Sequence, residues 1–173
     1  YDLYLYSDEI YSRMIYTEDD FSTPSKFDSC RERVIVSNGF SKAFAMTGWR
    51  LGAVIAPCDV IERMALLLQT TSSCVSPFIQ HAGIEAISGD QAEVINMMRT
   101  YEKRRDLLVE GLNTIPGISC LKPGGAFYAF PNISGLGMTS EQVAEYFLNE
   151  AGVAVLPGTN FGNQGQGYIR ICY

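Results

Sequence analysis

The sequence predicts an α/β fold followed by a small α+β unit, and three observations carry that reading. Short apolar runs, "LYLYSD", "RVIVSN" and "GAVIAP", end at polar or turn residues, as strands buried on both faces between covering helices do. Helical patterns follow the third run. The last third of the chain then returns to short strand-like blocks broken by glycine and proline. At 173 residues and 47% hydrophobic composition, the chain is long and apolar enough to bury a core.

Each element follows from its residues. The segment "PCDVIERMALLLQTT" predicts a helix capped by Asp59, and "SPFIQHAGIEAISGD" a second that stops near Gly89. "DQAEVINMMRTYEKRRDLLVEGLNTIPGI" is the longest helical pattern, with Val94, Met97, Met98, Tyr101, Leu107, Leu108 and Leu112 recurring at three and four residues until Pro116 and Gly117 end it. Beyond it, "GISCLKP", "GAFYAFPNI", "VAVLPG" and "GYIRICY" predict strands. The helix "TSEQVAEYFLNEAG" lies between the second and third of these, with Thr139 and Gln142 forming a capping box. The charged run "YTEDDFSTPSKFDS" predicts a solvated connection, and there is no internal repeat or low-complexity segment. The expected boundary lies near residue 100, giving domains 1–100 and 101–173 joined by a long helix near 90–116.

Charge and cysteine usage narrow the function classes. Thirteen Lys and Arg against nineteen Asp and Glu give a net charge of −6, and the basic residues are scattered apart from Arg31 to Arg33 and Lys103 to Arg105, so no nucleic-acid partner is expected. No apolar run approaches the roughly 18 residues that span a bilayer, so no membrane partner is expected. Cys30, Cys58, Cys74, Cys120 and Cys172 are an odd number without a CxxC, and His81 is the only histidine, so no metal site is expected. These features suggest reduced thiols and a cytoplasmic setting. His81, in a helical segment, reads as a satisfied helix histidine and is assigned no role. The chain opens without methionine on β-prone residues, as if inside a domain.

The chemistry-bearing residues sit at strand ends, where ligands bind in α/β sheets. "SDEIY" places Asp8 at the end of the first strand with Tyr11 three residues on; alone they would be a strand-terminating turn and a packed aromatic. "SNGFSKAFAMTGWRLG" sets Lys42 and Arg50 eight residues apart in a run otherwise apolar, small or hydroxylated. Alone, Lys42 would lay its stem over the core and keep its ammonium in water.

Taken with "PGGAFY", "PGTNFG" and "GYIRICY" in that order, these blocks make the chain resemble the class I and II aminotransferases, aspartate aminotransferase-like members of the fold type I pyridoxal-phosphate enzymes. The resemblance implies the C-terminal part of a large domain, a three-layer αβα arrangement on a mostly parallel sheet, followed by the small domain. It implies pyridoxal 5'-phosphate as cofactor and Lys42 as the catalytic lysine that holds it as a Schiff base, because that role needs an amine with a tunable pKa. Asp8 would pair with the pyridine nitrogen, Tyr11 with the ring oxygen, and Arg50 and Ser41 with the phosphate, the arginine through a bidentate fork. Arg170 would receive the substrate α-carboxylate. Many relatives have a second serine three residues before the lysine, where this chain has Gly39. "QTTSSC", Thr70 to Cys74, lies where relatives offer a hydroxyl to a neighbouring subunit's phosphate.

The implied activity is transfer of an amino group between an amino acid and a 2-oxo acid, by a homodimer in the intact enzyme. The resemblance places the glycine-rich phosphate loop and the ring-stacking aromatic in an N-terminal half outside this chain, so this portion is expected to be inactive alone and to expose apolar faces. A lyase or synthase of the same fold would keep the same site residues. So would an aminotransferase-like effector domain of a transcription regulator.

Overall fold

A computed structural model describes residues 3–17 and 21–173. Tyr1 and Asp2, which precede the first strand-like run, and Glu18, Asp19 and Asp20 at the acidic centre of the expected connection, lie outside the described residues. The chain divides into two compact units, the first ending at Ile95 and the second running Asn96–Tyr173.

In the first unit, β1 (Leu5–Asp8), β2 (Val34–Gly39) and β3 (Gly52–Ile55) form one sheet in that order. β1 and β2 run parallel with Leu5 opposite Val34 and Asp8 opposite Ser37, whereas β3 is antiparallel, pairing Gly52 with Gly39 and Ile55 with Val36. β2 is the central strand, and its β-branched run buries Val34 and Val36 on alternate positions. The outer strands differ from expectation: β1 and β3 are mostly exposed, so within this chain they are not covered on both faces.

Helix α1 (Cys58–Thr71) and helix α2 (Pro77–Ser88) follow β3. Asp59 does not cap α1. Pro57 occupies that position, and Asp59 lies in the first turn, where its charge still complements the helix dipole. Pro77 opens α2, as proline does where the first N–H needs no partner, and Gly89 follows its end. Gly83 is buried because α2 packs there on Phe40 and Leu51; a Cβ at Gly83 would meet Leu51 Cδ2 at 2.5 Å.

The second unit begins within α3 (Ala92–Asn113) and adds β4 (Tyr128–Ala129), α4 (Ser140–Ala151), β5 (Leu156–Pro157) and β6 (Ile169–Cys172). β6 is central, antiparallel to both β4 and β5. Its core gathers Val109 and Leu112 of α3, Val143 of α4, Ala129, Ile133 and Ile169. The α3 pattern is partly corrected: Leu107 is 75% exposed, while Arg105 is buried in its stead. Arg105 is admitted because Asp106 Oδ1, Glu102 Oε1 and the Pro123 carbonyl accept from its guanidinium at 2.7, 3.2 and 3.3 Å. α3 also stops at Asn113, and Gly117 makes the turn beyond it with φ +87°. "GISCLKP" is not a strand; Ser119 forms only an isolated bridge with Asn132. The α4 capping box is present, Gln142 N donating to Thr139 Oγ1 and Thr139 N to Gln142 Oε1.

Candidate cofactor site

β1 stops at Asp8 because its own side chain begins a turn: Ile10 N donates to Asp8 Oδ1 at 3.2 Å. The carboxylate is exposed, and its other oxygen has no partner among the described residues. Glu9 beside it is buried, accepting from Ser7 Oγ at 3.2 Å and Thr23 Oγ1 at 2.5 Å. Glu9 therefore anchors this turn to the Thr23-capped turn Pro24–Lys26, while Asp8 stays open to a ligand. Tyr11 sits half-buried on the same turn, which is closed by Met14 N donating to Tyr11 O at 2.8 Å. Asn38 Nδ2 donates to Ser12 Oγ at 3.0 Å, tying the turn to the end of β2.

Lys42 and Arg50 lie on the loop that joins β2 to β3. Phe40 N donates to Leu51 O at 3.2 Å and closes the loop just past the Gly39–Gly52 pair. Inside it, Lys42 O accepts from Ala45 N at 3.2 Å and Phe40 O from Met46 N at 3.3 Å. Buried Phe40, Ala43 and Met46 hold the loop to the body, leaving Ser41 and Lys42 half-buried. Two non-glycine residues are left-handed, Ala45 with φ 53° and Arg50 with φ 52°. That conformation costs an L-residue roughly 1–2 kcal/mol, strain that packing of the loop sustains. Arg50 is exposed and donates through Nη1 to Thr47 O at 3.0 Å, a bond within its own loop.

Gly39 has a physical reason. A Cβ there would lie 2.6 Å from Ile10 Cδ1, so Ile10 fills the space that a side chain at 39 would need. The expected phosphate hydroxyl at this position is replaced by an apolar contact between the β1 turn and β2.

Asp8, Tyr11, Ser41, Lys42 and Arg50 thus belong to segments at one edge of one sheet, where β1 and β2 end and β3 begins. By donor type, this set fits pyridoxal phosphate: cations and a hydroxyl suit a phosphate, an amine suits an aldehyde, and an exposed carboxylate suits a protonated ring nitrogen.

The "QTTSSC" hydroxyls are less available than expected. Thr70 Oγ1 and Thr71 Oγ1 both donate to Leu67 O, at 2.9 and 3.0 Å, while Ser73 is left-handed with φ 60°. His81 lies exposed on α2.

The second unit carries Arg170, half-buried on β6 with its backbone opposite Leu156. Its guanidinium carbon lies 4.4 Å from the Tyr128 ring centre and 4.3 Å from that of Phe161. No carboxylate pairs with it among the described residues.

The whole chain, residues 1–173, matches the family described as aminotransferase class I and II. The chain belongs to the class I and II aminotransferase family. Among its relatives it is 46% identical over 175 residues to the aspartate aminotransferase of Pyrococcus horikoshii, covering all of this chain and 44% of that protein. It is 42% identical to aromatic-amino-acid aminotransferase 2 of Thermococcus litoralis, covering 45% of that protein. The crystal structure of the aromatic aminotransferase from Pyrococcus horikoshii superposes with a TM-score of 0.94 at 44% identity, over 99% of this chain and 46% of that one. This family member therefore has an aminotransferase fold of α/β class, and it spans less than half the length of the relatives it matches.

Sequence reasoning missed Glu9, Ile10, Tyr128 and Phe161 as shapers of these sites. The aromatics carried a signal, since each stands in or beside a glycine-rich block, "PGGAFY" and "PGTNFG". Glu9 carried none, because only folding shows that the second carboxylate of "SDE" turns inward.

Proposed function

We propose that this chain is the C-terminal portion of a pyridoxal-phosphate-dependent aminotransferase, comprising the end of the large three-layer domain and then the small domain. The intact enzyme, a cytoplasmic homodimer, moves an amino group between an amino acid and a 2-oxo acid. The observation that carries this reading is the β2–β3 loop, which presents a half-buried lysine and an exposed left-handed arginine at the sheet edge where Asp8 ends β1. Five free cysteines agree with a reducing compartment.

Pyridoxal phosphate, when bound, supplies the electron sink that makes the substrate Cα–H acidic. In this reading Lys42 holds the cofactor's aldehyde carbon. Once displaced by the amino acid, the Lys42 amine would take the proton from the substrate Cα and deliver it to the carbon it had held. Asp8 keeps a proton on the ring nitrogen, for which a carboxylate anchored through one oxygen is suited. Tyr11 places its hydroxyl at the ring oxygen. Arg50 and Ser41 grip the phosphate, and the strained backbone at Arg50 aims that grip before the ligand arrives. Arg170 receives the α-carboxylate edge-on. The amino group is carried in two half-reactions, the first product leaving before the second substrate binds.

The test uses the full-length protein with added pyridoxal phosphate. Borohydride reduction and peptide mass mapping should label Lys42, and Lys42→Ala should lose both the visible absorbance and turnover by at least a thousandfold. Turnover retained in Lys42→Ala, or a label on another lysine, would overturn the assignment. The 173-residue chain alone should show no transamination.

A further inference from the structure

The surroundings of Arg170 hold more than a place to receive a carboxylate. Tyr128 stands on β4 opposite Cys172 of β6, which puts it diagonally across from Arg170 on the same face of the sheet. Phe161, at the end of the turn Gly158–Phe161 that follows β5, also lies against the Arg170 guanidinium. The guanidinium carbon lies over both rings, within 4.4 Å of each ring centre. Each ring is itself braced. Tyr128 leans on Phe127, which stacks on Tyr101 of α3 at 5.4 Å; Phe161 meets the edge of Phe130, which stacks on Tyr168 at 5.3 Å.

The turn that carries Phe161 is fixed by a close backbone approach. A Cβ at Gly158 would lie 2.2 Å from Gly165 O, so this crossing admits only glycine, and Gly158 N donates to Tyr168 O at 2.8 Å. Phe161 is 48% exposed, so hydrophobic burial does not by itself explain its place over Arg170.

We propose that Tyr128 and Phe161 are positioning residues that set the plane of the substrate carboxylate by clamping Arg170, an inference that rests on Arg170 being the carboxylate receptor. A guanidinium has two apolar faces and an edge of five N–H donors in one plane. Rings that cover its faces leave the edge for an oxyanion, so in this reading the carboxylate binds coplanar with the guanidinium. The clamp acts in two further ways: it holds a flexible side chain before binding, and it keeps water off the faces so that the edge interaction gains strength. A carboxylate held in a fixed plane also fixes the direction of the neighbouring Cα, which is the atom that loses its proton.

The experiment compares Tyr128→Leu, Phe161→Leu, Tyr128→Phe and Arg170→Leu in the full-length holoenzyme, reading KM and kcat for the amino acid it turns over. Loss of one ring should raise KM about tenfold with kcat within about twofold, the scale of one cation–π contact. Tyr128→Phe keeps the ring and should stay within about twofold of wild type. A second readout needs no cofactor: in the 173-residue chain the NMR signal of the Arg170 side-chain N–H should be shifted by the rings and should move toward the value of a solvated arginine in each leucine variant. If Arg170→Leu leaves KM unchanged, the carboxylate reading fails and the clamp with it. If Arg170→Leu raises KM at least a hundredfold while both leucine variants stay within twofold, the clamp is overturned and the receptor role stands.

Discussion

Helices α1 and α4 are similar in length and in apolar content, yet α4 buries Ser140, Val143 and Ala144 while α1 buries nothing. Leu66, Leu67 and Leu68 of α1 are all exposed, as are Leu3, Tyr4 and Tyr6 beside or in β1. In the second unit, by contrast, Ile133, Val143 and Ile169 are almost wholly buried in a shared core. An amphipathic helix owes most of its stability to the surface that receives its apolar face. α4 finds that surface within the second unit, whereas the leucines of α1 stay exposed.

The largest expected effect separates the two regions directly. Ile169→Ala, which opens a cavity under α4, should destabilise the second unit by about 2–5 kcal/mol. Leu67→Ala should change the stability of this chain by no more than about 0.5 kcal/mol, as an exposed substitution does. Denaturant midpoints of the two variants check this. The same Leu67→Ala measured in the full-length protein sharpens the contrast: a cost rising toward that of Ile169→Ala would show the face covered there, and an unchanged cost would show it free.

A smaller effect probes the join between the turn after β1 and the sheet. Gly39→Ser would push its Cβ against Ile10 Cδ1, the movable end of a side chain, and should cost about 0.5–1.5 kcal/mol, whereas Gly39→Ser with Ile10→Val, which removes that methyl, should cost less. Thermal midpoints of the two variants decide the matter, and equal losses in both would mean that the contact is not the reason for glycine here.

Legibility in the sequence followed the same division. The second strand, α2, α3, α4 and the capping box at Thr139 and Gln142 could be read because local pattern and cap chemistry act within a few residues. The resemblance picked out Asp8, Lys42, Arg50 and Arg170; the first three stand in segments where β1 and β2 end and β3 begins, and Arg170 stands on β6 of the second unit. What escaped depends on contacts distant in sequence. Strand coverage in the first unit failed because an apolar run does not say whether its cover lies in the same chain. Burial of Arg105 in place of Leu107 was hidden because a buried arginine needs partners that only the fold supplies, here Asp106, Glu102 and the Pro123 carbonyl. The antiparallel direction of β3 was likewise invisible, since strand composition does not encode orientation.

The smallest expected effect lies on that arginine's partner and is a pH dependence. Arg105 Nε donates to Asp106 Oδ1 at 2.7 Å and Lys122 Nζ at 2.8 Å, and these bonds, the arginine's first, hold the Asp106 carboxyl below the usual carboxylate range. A carboxyl that is more acidic folded than unfolded stabilises the fold above its unfolded pKa, and the contribution fades as pH falls through the folded value. Stability should therefore be unaffected by this group near neutrality and should decline below about pH 4. Because Asp106 is a third exposed, solvent screening limits the contribution to about 0.5 kcal/mol, the scale of a surface ion pair. Asp106→Asn removes the titrating group, so its thermal midpoint should fall less steeply between pH 5 and pH 3 than that of wild type, at the expense of a lower midpoint at pH 7. Identical acid slopes would assign the depressed acidity no part in holding α3 to the segment around Lys122. Arg105 would then owe its place to Glu102, to the Pro123 carbonyl and to packing.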